Sequence, residues 1–313
     1  IQILLVSANR NLICRDMSIS YEIPASEWQS GKNFKGLFVC DFDGTLLRSD
    51  RSFSNDDLEA LKRLGMLGIA RAIATGRSIY SINTIPISNL PVDFIIFSSG
   101  AGINRHPDGL LIRKSGLEAH QVRQAIQILQ ANQLDFMVHR PIPDNHAFCY
   151  VESSADNADF NRRIDIYRQF AKPLDTHHDG FDKATQLLAV VPPGDNRPLI
   201  QTLQTALPDF NIIQTTSPLD GRSTWIEIFP ATVSKSLAAA WLAEMFHLDA
   251  DRTLSIGNDY NDLDLLEWAG CSFVVQNAPH DLTDRFPTVA SNNDSGVAEA
   301  IDRWLASDSF NLS

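Results

Sequence analysis

The feature that most constrains this chain is a short apolar run that ends in two carboxylates. Leu37-Phe38-Val39-Cys40 follows Gly36, and Asp41-Phe42-Asp43-Gly44-Thr45-Leu46 comes directly after the run. Four consecutive apolar residues between glycine and aspartate are typical of a central strand in a parallel sheet that is covered on both faces. The pattern therefore predicts an α/β fold with a buried strand at this position.

Asp41 and Asp43 are costly residues at the end of a buried strand. Desolvation of a carboxylate costs several kcal/mol of free energy unless the group is paired or binds a cation. The spacing of two residues lets both side chains point the same way from an extended backbone. Gly44 permits a sharp turn that brings backbone N–H groups near an anion. The alternative is an ordinary acidic turn, and the remaining sequence decides between the two interpretations.

The composition restricts the class of protein. The chain has 313 residues, 44% hydrophobic and 20% charged, with a formal net charge of −12. The length predicts about two domains, and the absence of a Lys/Arg cluster argues against nucleic-acid and membrane partners. No apolar window reaches the length of a membrane span. The four cysteines form no C-x-x-C pair, which predicts a reducing, cytoplasmic location.

The order of apolar segments predicts three parts. Residues 1–35 read as an N-terminal β-hairpin extension, because Met17, Ile19, Tyr21 and Ile23 alternate with polar residues. Residues 36–103 alternate strand and helix, which is typical of a right-handed parallel sheet, and residues 223–313 resume this order. Residues 104–222 mix helices, predicted over 117–132 and 156–170, with strands over 136–139 and 186–191. They predict an inserted α+β unit.

Four polar clusters follow predicted strands or lie near a helix start. In an open parallel sheet, ligands bind beyond the carboxyl ends of the strands. Individually, each cluster has a structural explanation as a helix cap, a solvated surface residue or a turn. Together and in this order, they predict one site. The clusters are Asp41 with Asp43, Thr75 with Gly76, Lys235, and Asn258, Asp259, Asn261 and Asp262.

These residue types suit phosphoryl transfer. Asp41 can attack phosphorus, and Asp43 can protonate the leaving group and then activate water. The Thr75 hydroxyl, the Gly76 N–H group, Lys235 and Asn261 can hold phosphate oxygens.

Oxygen ligands for Mg²⁺ are present in the same clusters. The predicted set is Asp41, Asp43 through its backbone carbonyl, Asp262, and either Asn258 or Asp259. Because Asn is a neutral ligand and Asp a charged one, the sequence leaves the choice between Asn258 and Asp259 open.

The ordered motifs resemble those of the haloacid dehalogenase-like (HAD) hydrolase superfamily. The segment from Asp41 to Leu46 is similar to the first motif, whose two aspartates are the nucleophile and the acid/base. Thr75-Gly76-Arg77 is similar to the second motif, Val233-Ser234-Lys235 to the third, and Gly257 to Asp262 to the fourth. The resemblance implies a Rossmann-like parallel sheet, Mg²⁺ and an aspartyl-phosphate intermediate. The family's fourth motif usually has Asp where this chain has Asn258.

The insertion between the second and third motifs resembles the Cof-type, C2-capped branch (subfamily IIB). This resemblance implies a core at 36–103 and 223–313 and a substrate-specificity cap at 104–222. Cap residues that can meet a sugar hydroxyl or a second anion are His139, Arg140, His146 and Lys183, with His177 and His178 as further candidates. Each is also explained as an ordinary surface residue.

The function that follows is a Mg²⁺-dependent phosphatase acting on a small phosphomonoester such as a sugar phosphate. Alternatives on the same scaffold are a sugar phosphotransferase or phosphomutase and a sucrose-phosphate-phosphatase-like enzyme. A phospho-receiver-like binding module is a further alternative, but it would lack the insertion. The expected partner is a small phosphorylated metabolite, and the expected state is a monomer or homodimer.

Overall fold

The computed structural model describes residues 21–24, 33–154, 156–175 and 182–307. Within these ranges, seventeen strands are present: β1 (Tyr21–Glu22), β2 (Gly36–Asp41), β3 (Ile69–Ala74), β4 (Phe94–Phe97), β5 (Gly102–Arg105), β6 (Leu111–Lys114), β7 (Leu117–Glu118), β8 (Asp135–His139), β9 (Phe148–Val151), β10 (Ala171–Pro173), β11 (Lys183–Ala184), β12 (Leu187–Val191), β13 (Phe210–Thr216), β14 (Thr224–Pro230), β15 (Thr253–Gly257), β16 (Cys271–Val275) and β17 (Thr288–Val289).

Nine α-helices lie in the same ranges: α1 (Asn55–Met66), α2 (Ile79–Ile82), α3 (Ala119–Ala131), α4 (Ala158–Ile166), α5 (Arg197–Ala206), α6 (Lys235–Met245), α7 (Leu263–Trp268), α8 (His280–Thr283) and α9 (Gly296–Leu305). Short 3₁₀ turns occupy Ser98–Gly100, Ala250–Arg252 and Tyr260–Asp262.

The main sheet has the strand order β1-β6-β5-β4-β3-β2-β15-β16-β17 in the described part of the chain. Six neighbouring strands of this sheet run parallel, namely β4, β3, β2, β15, β16 and β17. Beyond β4, the strands β5, β6 and β1 continue the sheet with antiparallel pairing. β2 lies between β3 and β15, with Cys40 opposite Ile73 on one side and Ile256 on the other. The predicted strand at 37–40 is therefore central.

Both faces of the main sheet are buried, as its apolar runs predict. On one face, Phe38 and Cys40 belong to a core that also contains Leu61 of α1 and Trp304 of α9. On the other face, Leu37 and Val39 belong to a core that contains Ala239 and Leu242 of α6. Alternate residues of one strand thus serve two helical layers.

A second sheet of six strands in the described residues has the order β10-β9-β8-β12-β14-β13. One face packs against α3 and α5, whose buried residues include Leu129 and Leu203. The opposite face packs against Phe160 of α4. We call residues 115–230 the cap, since the described part of this range forms the second sheet and its helices.

The observed sheet membership differs from the predicted boundaries at 104 and 222. The hairpin of β5 and β6 extends the main sheet, and β14 lies in the cap sheet. Both errors have one cause: a strand's periodicity does not reveal which sheet it joins. Of the predicted N-terminal extension at 1–35, residues 21–24 and 33–35 are described, and the strand Tyr21–Glu22 pairs with β6. The remaining residues of the hairpin lie outside the described residues.

The start of α1 contains a buried carboxylate that is only partly compensated. Ser54 caps the helix by accepting hydrogen bonds from the N–H groups of Asp56 and Asp57. Asp57 is fully buried; its Oδ1 accepts a hydrogen bond from the Ala298 N–H of α9, and its Oδ2 has no hydrogen-bond partner among the described residues. Burial raises the pKa of Asp57 from 3.8 to about 6.

We expect Asp57→Asn to stabilise the protein at pH 7.5. The folded state binds the Asp57 proton more tightly than the unfolded chain, so the associated stability is present below pH 3.8 and is lost as the pH rises to about 6. Removing the charge should raise the free energy of unfolding by about 1–3 kcal/mol at pH 7.5 and by little at pH 4. Urea unfolding at both pH values measures this. Asp56→Asn, at the exposed neighbour, is the control; an equal gain in both variants would contradict the assignment.

Candidate active site

The carboxyl ends of the parallel strands border a cavity of about 740 Å³ that lies between the main sheet and the cap. Asp41 ends β2, Thr75 follows β3, Ser98 follows β4 and Asn258 follows β15. All four line the cavity, together with Asp43, Gly76, Asn261, His139, His146 and other residues of both layers. The structure therefore brings the predicted clusters to one place.

Asp41 is held in a buried ionic network with Lys235 and Asp262. The Lys235 Nζ lies 2.6 Å from Asp41 Oδ1 and 2.5 Å from Asp262 Oδ1, and all three side chains are at most 7% exposed. Burial and the charge of Asp262 raise the pKa of Asp41, whereas Lys235 opposes this shift. Burial alone would lower the pKa of Lys235, but the charges of Asp262 and Asp41 raise it. Lys235 is therefore an ammonium whose charge helps to keep Asp41 ionised.

The backbone places Lys235 through a tight contact between two segments. Lys235 is the first residue of α6, which Ser234 caps by accepting a hydrogen bond from the Leu237 N–H. Gly100 has a φ of +103°, and a Cβ atom there would lie 2.1 Å from the Ser234 carbonyl oxygen. The loop after β4 thus packs directly on the start of α6, and only glycine allows this approach.

Oxygen atoms converge on the other side of Asp41. One atom of the Asn258 side-chain amide lies 3.1 Å from Asp41 Oδ2 and 3.2 Å from the Asp43 carbonyl oxygen and Thr45 Oγ1. The Thr45 hydroxyl also donates to Asp41 Oδ2. With its nitrogen inward, the amide donates hydrogen bonds to these oxygens; with its oxygen inward, it completes a set of oxygen ligands. Gly44, at a φ of +76°, leaves the amide room, because a Cβ there would lie 2.6 Å from Asn258 Nδ2.

This donor set fits Mg²⁺, which prefers oxygen ligands and retains several waters. It consists of one carboxylate, one backbone carbonyl and one amide. No group of three or more His, Cys, Asp or Glu side chains is arranged to hold a metal among the described residues. The cluster at Asp41 is not such a group, because only one of its three ligands is a carboxylate side chain. The other two oxygens belong to the Asp43 backbone carbonyl and the Asn258 amide.

The structure places the two other predicted metal ligands elsewhere. Asp262 Oδ1 binds Lys235, and its Oδ2 accepts hydrogen bonds from the N–H groups of Asn258 and Asp259. Both of its oxygens are therefore occupied. The Asp259 Oδ2 accepts hydrogen bonds from the Thr215 hydroxyl and the Thr216 N–H of β13, at 3.1 and 2.9 Å. Asp259 thus joins the motif to the cap, and Asn258 is the residue beside Asp41.

Asp43 forms an ion pair that the sequence analysis did not predict. Arg77 Nε and Nη2 each lie 2.7 Å from one Asp43 oxygen, and Arg77 Nη1 donates to Ser81. This bidentate contact fixes the orientation of the carboxylate at the cavity. Arg77 is the third residue of the motif Thr75-Gly76-Arg77. Its position directly after two predicted site residues could have indicated that it also lies at the site.

Of the four predicted phosphate-binding residues, three line the cavity from the loops after β3 and β15, whereas Lys235 is buried against Asp41 and does not line it. The Thr75 side chain is buried, and its Oγ1 accepts the Arg77 N–H, so its hydroxyl proton is available to a ligand. Gly76 lies against Ser99 and Asn261, with its Cβ position 4.0 Å from Asn261 Nδ2. Thr75, Gly76 and Asn261 therefore share one wall of the cavity.

Of the predicted cap residues, two line the cavity and two do not. His139 and His146 face it, and His146 stacks on Tyr80 with ring centroids 4.4 Å apart. Arg140 is exposed and does not line it. Lys183 forms an exposed ion pair with Glu118 at 2.9 Å, away from the cavity. His177 and His178 lie outside the described residues.

Several cavity residues of the cap escaped the sequence analysis. Glu227 and Trp225 lie on β14, on the face opposite Ile226 and Ile228, which belong to the outer core. The Glu227 carboxylate accepts hydrogen bonds from Ser99 at 2.7 Å and Gln186 at 3.2 Å, and burial raises its pKa. The alternation of side chains along β14 could have revealed these residues. A Glu in a mostly apolar, buried strand indicates that its face of the strand borders a polar site.

Two serines of the core reach into the cap. Ser98 and Ser99 have φ angles of +50° and +53°, a region that β-carbon sterics disfavour. Ser98 Oγ lies 2.7 Å from Asn145 Nδ2, and the Ser99 hydroxyl donates to Glu227. These contacts connect the loop after β4 to the floor of the cap.

The family model described as haloacid dehalogenase-like hydrolase matches residues 38–301. The chain belongs to the haloacid dehalogenase-like hydrolase family. A Bacillus subtilis relative, named 5-amino-6-(5-phospho-D-ribitylamino)uracil phosphatase YwtE, is 27% identical in an alignment 289 residues long that covers 85% of this chain and 96% of the relative.

Solved structures support the same haloacid dehalogenase-like fold. The HAD phosphatase BT1666 of Bacteroides thetaiotaomicron has a TM-score of 0.67 at 19% identity and covers 88% of this chain and 97% of its own. A HAD subclass IIB sugar phosphatase, BT4131, has a TM-score of 0.67 at 16% identity, with 86% and 98% covered. The family match and the names of the relatives confirm the predicted enzyme class, a phosphatase-type hydrolase; the likeness to solved structures confirms the predicted fold.

We expect Asp262→Asn to destabilise this hydrolase strongly. The two Asp262 oxygens face an ammonium and two backbone N–H groups, all of them donors, so an amide nitrogen at either position meets a donor. One buried charge also loses part of its compensation, and the free energy of unfolding should fall by about 3–5 kcal/mol. Denaturant unfolding followed by circular dichroism measures this. The control, Asp251→Asn in an exposed turn, should change it by less than about 0.5 kcal/mol. Similar losses in both variants would contradict the network.

Proposed function

We propose that the protein is a Mg²⁺-dependent phosphatase that hydrolyses a small phosphomonoester through a phosphorylated Asp41. The observation that carries the proposal is the position of the Asp41 carboxylate. It lies at the end of the central strand, between Lys235 and Thr45, and lines the same cavity as Thr75 and Gly76. A nucleophile, a cation and phosphate-binding donors therefore surround one point.

In the first step, an Asp41 oxygen attacks phosphorus, and the bond between phosphorus and the ester oxygen breaks. Lys235, the Thr75 hydroxyl and the Gly76 N–H group stabilise the negative charge on the phosphoryl oxygens. The attack requires an ionised Asp41. The Lys235 Nζ, 2.6 Å from Asp41 Oδ1, favours the ionised form of this carboxylate. The net charge of −12 repels an anionic substrate, so these local donors have to attract it.

Asp43 is the proposed acid and base. It gives a proton to the leaving alkoxide and then takes one from the water that hydrolyses the phosphorylated Asp41. Its carboxylate is paired with Arg77 in the structure. Arg77 therefore orients Asp43, and the pair has to loosen when Asp43 carries the proton.

Asp41 Oδ2, the Asp43 carbonyl and the Asn258 amide would hold Mg²⁺. When bound, the ion supplies positive charge that neutralises phosphate oxygens in the transition state. The proposal includes Asn258 as a neutral ligand, in place of the predicted alternative Asp259.

The proposed substrate class is a phosphorylated sugar or related polyol metabolite. The name of the YwtE relative specifies a phosphorylated ribityl compound, and BT4131 is a sugar phosphatase by its name. Both names support a small polyol ester.

No helix of the described residues has the length and apolarity to cross a membrane. Cys40 and Cys271 are free thiols, which supports the proposed cytoplasmic location.

We expect Asp41→Asn to abolish Mg²⁺-dependent hydrolysis of p-nitrophenyl phosphate, with a fall in kcat of about 10³-fold or more. The variant should remain folded, because Asp262 still pairs with Lys235. A colorimetric assay and a thermal melt measure both quantities. Asp50→Asn, in the exposed loop after the same motif, is the control. Turnover retained by the folded Asp41→Asn variant would exclude Asp41 as the nucleophile.

We expect Asn258→Asp to increase the affinity for Mg²⁺. A charged ligand replaces a neutral one, so the half-saturating Mg²⁺ concentration should fall roughly 10-fold. In a chelator the same variant should melt at a lower temperature, because the new carboxylate lies about 3.1 Å from Asp41 Oδ2. Asn83→Asp, which adds the same charge at an exposed position, is the control. An unchanged Mg²⁺ dependence would remove Asn258 from the proposed ligands.

A further inference from the structure

Arg163, on the cap helix α4, lines the cavity. Among the described residues no carboxylate forms an ion pair with it, and its Nε atom is buried without a hydrogen-bond partner. The chain has 38 acidic residues and 26 basic ones, so acidic partners are plentiful. An unpaired guanidinium in a cavity is costly unless a ligand compensates it.

The acidic residues that influence Arg163 electrostatically are already engaged. They are Glu227 and Asp159. Glu227 accepts hydrogen bonds from Ser99 and Gln186. Asp159 accepts them from the Ser217 hydroxyl and Trp225 Nε1, at 3.0 and 2.7 Å. Glu227 and Asp159 therefore influence Arg163 through their charge without donating an oxygen to its N–H groups, which leaves those groups free to bind a ligand.

Aromatic rings hold the Arg163 guanidinium in place. Its central carbon lies 4.5 Å from the centre of the Trp225 ring and 5.3 Å from that of Tyr167. Stacking of this kind uses the flat face of the guanidinium and leaves its N–H edge for hydrogen bonds. The side chain is thus positioned by packing before a ligand arrives.

The adjacent His139 is neutral and offers an acceptor. His139 Nδ1 lies 2.7 Å from the Asn145 carbonyl oxygen, which only accepts, so Nδ1 carries the proton. The buried Nε2 has no hydrogen-bond partner in the part of the chain that the structure describes. Burial and the charge of Arg163 lower the pKa of His139 to about 3. Both residues flank Phe148, with centre distances of 5.1 Å for the His139 ring and 6.0 Å for the guanidinium. His139 is therefore a neutral neighbour of the cationic Arg163 in the cavity wall.

We propose that Arg163 binds a second oxyanion of the substrate, separate from the phosphate that Asp41 attacks. The proposal rests on the proposed function and specifies its substrate class: a phosphomonoester whose leaving group carries a carboxylate or a second phosphate. The shared chemistry is an oxyanion that the planar N–H fork of arginine recognises.

The test compares three substrates that differ in the second oxyanion. Glucose 6-phosphate has none, 6-phosphogluconate has a carboxylate, and fructose 1,6-bisphosphate has a second phosphate. The wild type should have a kcat/KM at least about tenfold higher for one of the last two than for glucose 6-phosphate. Which of them is preferred identifies the oxyanion. Equal kcat/KM values for all three substrates would overturn the proposal.

Variants of Arg163 test whether this residue causes the preference. Arg163→Met keeps the apolar stem and should lower kcat/KM for the preferred substrate about tenfold more than for glucose 6-phosphate, mainly through KM. Arg163→Lys, which keeps the charge but not the fork, should lose part of the preference. Arg162→Met removes the same charge from an exposed neighbour on α4 and should preserve the preference. An equal loss for all substrates in Arg163→Met would assign Arg163 a structural role only.

A binding measurement separates this proposal from the proposed function. Thermal melts of the full chain with 6-phosphogluconate, fructose 1,6-bisphosphate or glucose 6-phosphate do not require turnover. The subsite is supported if an oxyanion-bearing compound raises the melting temperature more than glucose 6-phosphate does, and if Arg163→Met abolishes this difference. This outcome supports the subsite even if p-nitrophenyl phosphate is not hydrolysed. Hydrolysis of p-nitrophenyl phosphate without any Arg163-dependent shift or preference leaves the phosphatase function and overturns the subsite.

Discussion

The structure of the site depends on one buried ionic contact, that of Lys235 with Asp41 and Asp262. The ammonium lies 2.6 Å from one carboxylate and 2.5 Å from the other, and none of the three charges has appreciable contact with solvent. Removing such charges from water costs several kcal/mol each, and their mutual attraction has to offset that cost. The contact joins the end of β2, the start of α6 and the loop after β15. Three segments that are distant in sequence are thereby fixed around the nucleophile.

The core and its first-motif residues could be predicted because their signals are local. The apolar run at 37–40 and the turn at Gly44 lie within a few residues of Asp41, and strand ends of a parallel sheet meet at one edge. Asp262 was harder to interpret. Its residue type suits a metal ligand, but its role follows from Lys235, which is 27 residues away. Sequence spacing does not show which partner occupies a carboxylate.

The cap was predicted less well because its cavity is assembled from residues of several strands and helices. Gln186, Glu227 and Arg163 meet only when the cap sheet and α4 have packed. Conversely, Lys183 was a reasonable candidate by residue type, but it pairs with Glu118 on the neighbouring strand β7. The boundaries at 104 and 222 were missed for the same reason, since sheet membership depends on pairing between distant strands.

The alternation of β14 has a consequence for how such an enzyme can diverge. Trp225 and Glu227 line the cavity, whereas Ile226 and Ile228 belong to the outer core between the cap sheet and its helices. Trp225 also packs with Phe148 and Phe160 in the inner core of the cap, so it has two roles, whereas Ile226 and Ile228 serve the outer packing alone. A substitution at Trp225 would therefore change the lining of the cavity and the stability of the cap together, whereas one at Ile226 or Ile228 would change the packing without reaching the cavity.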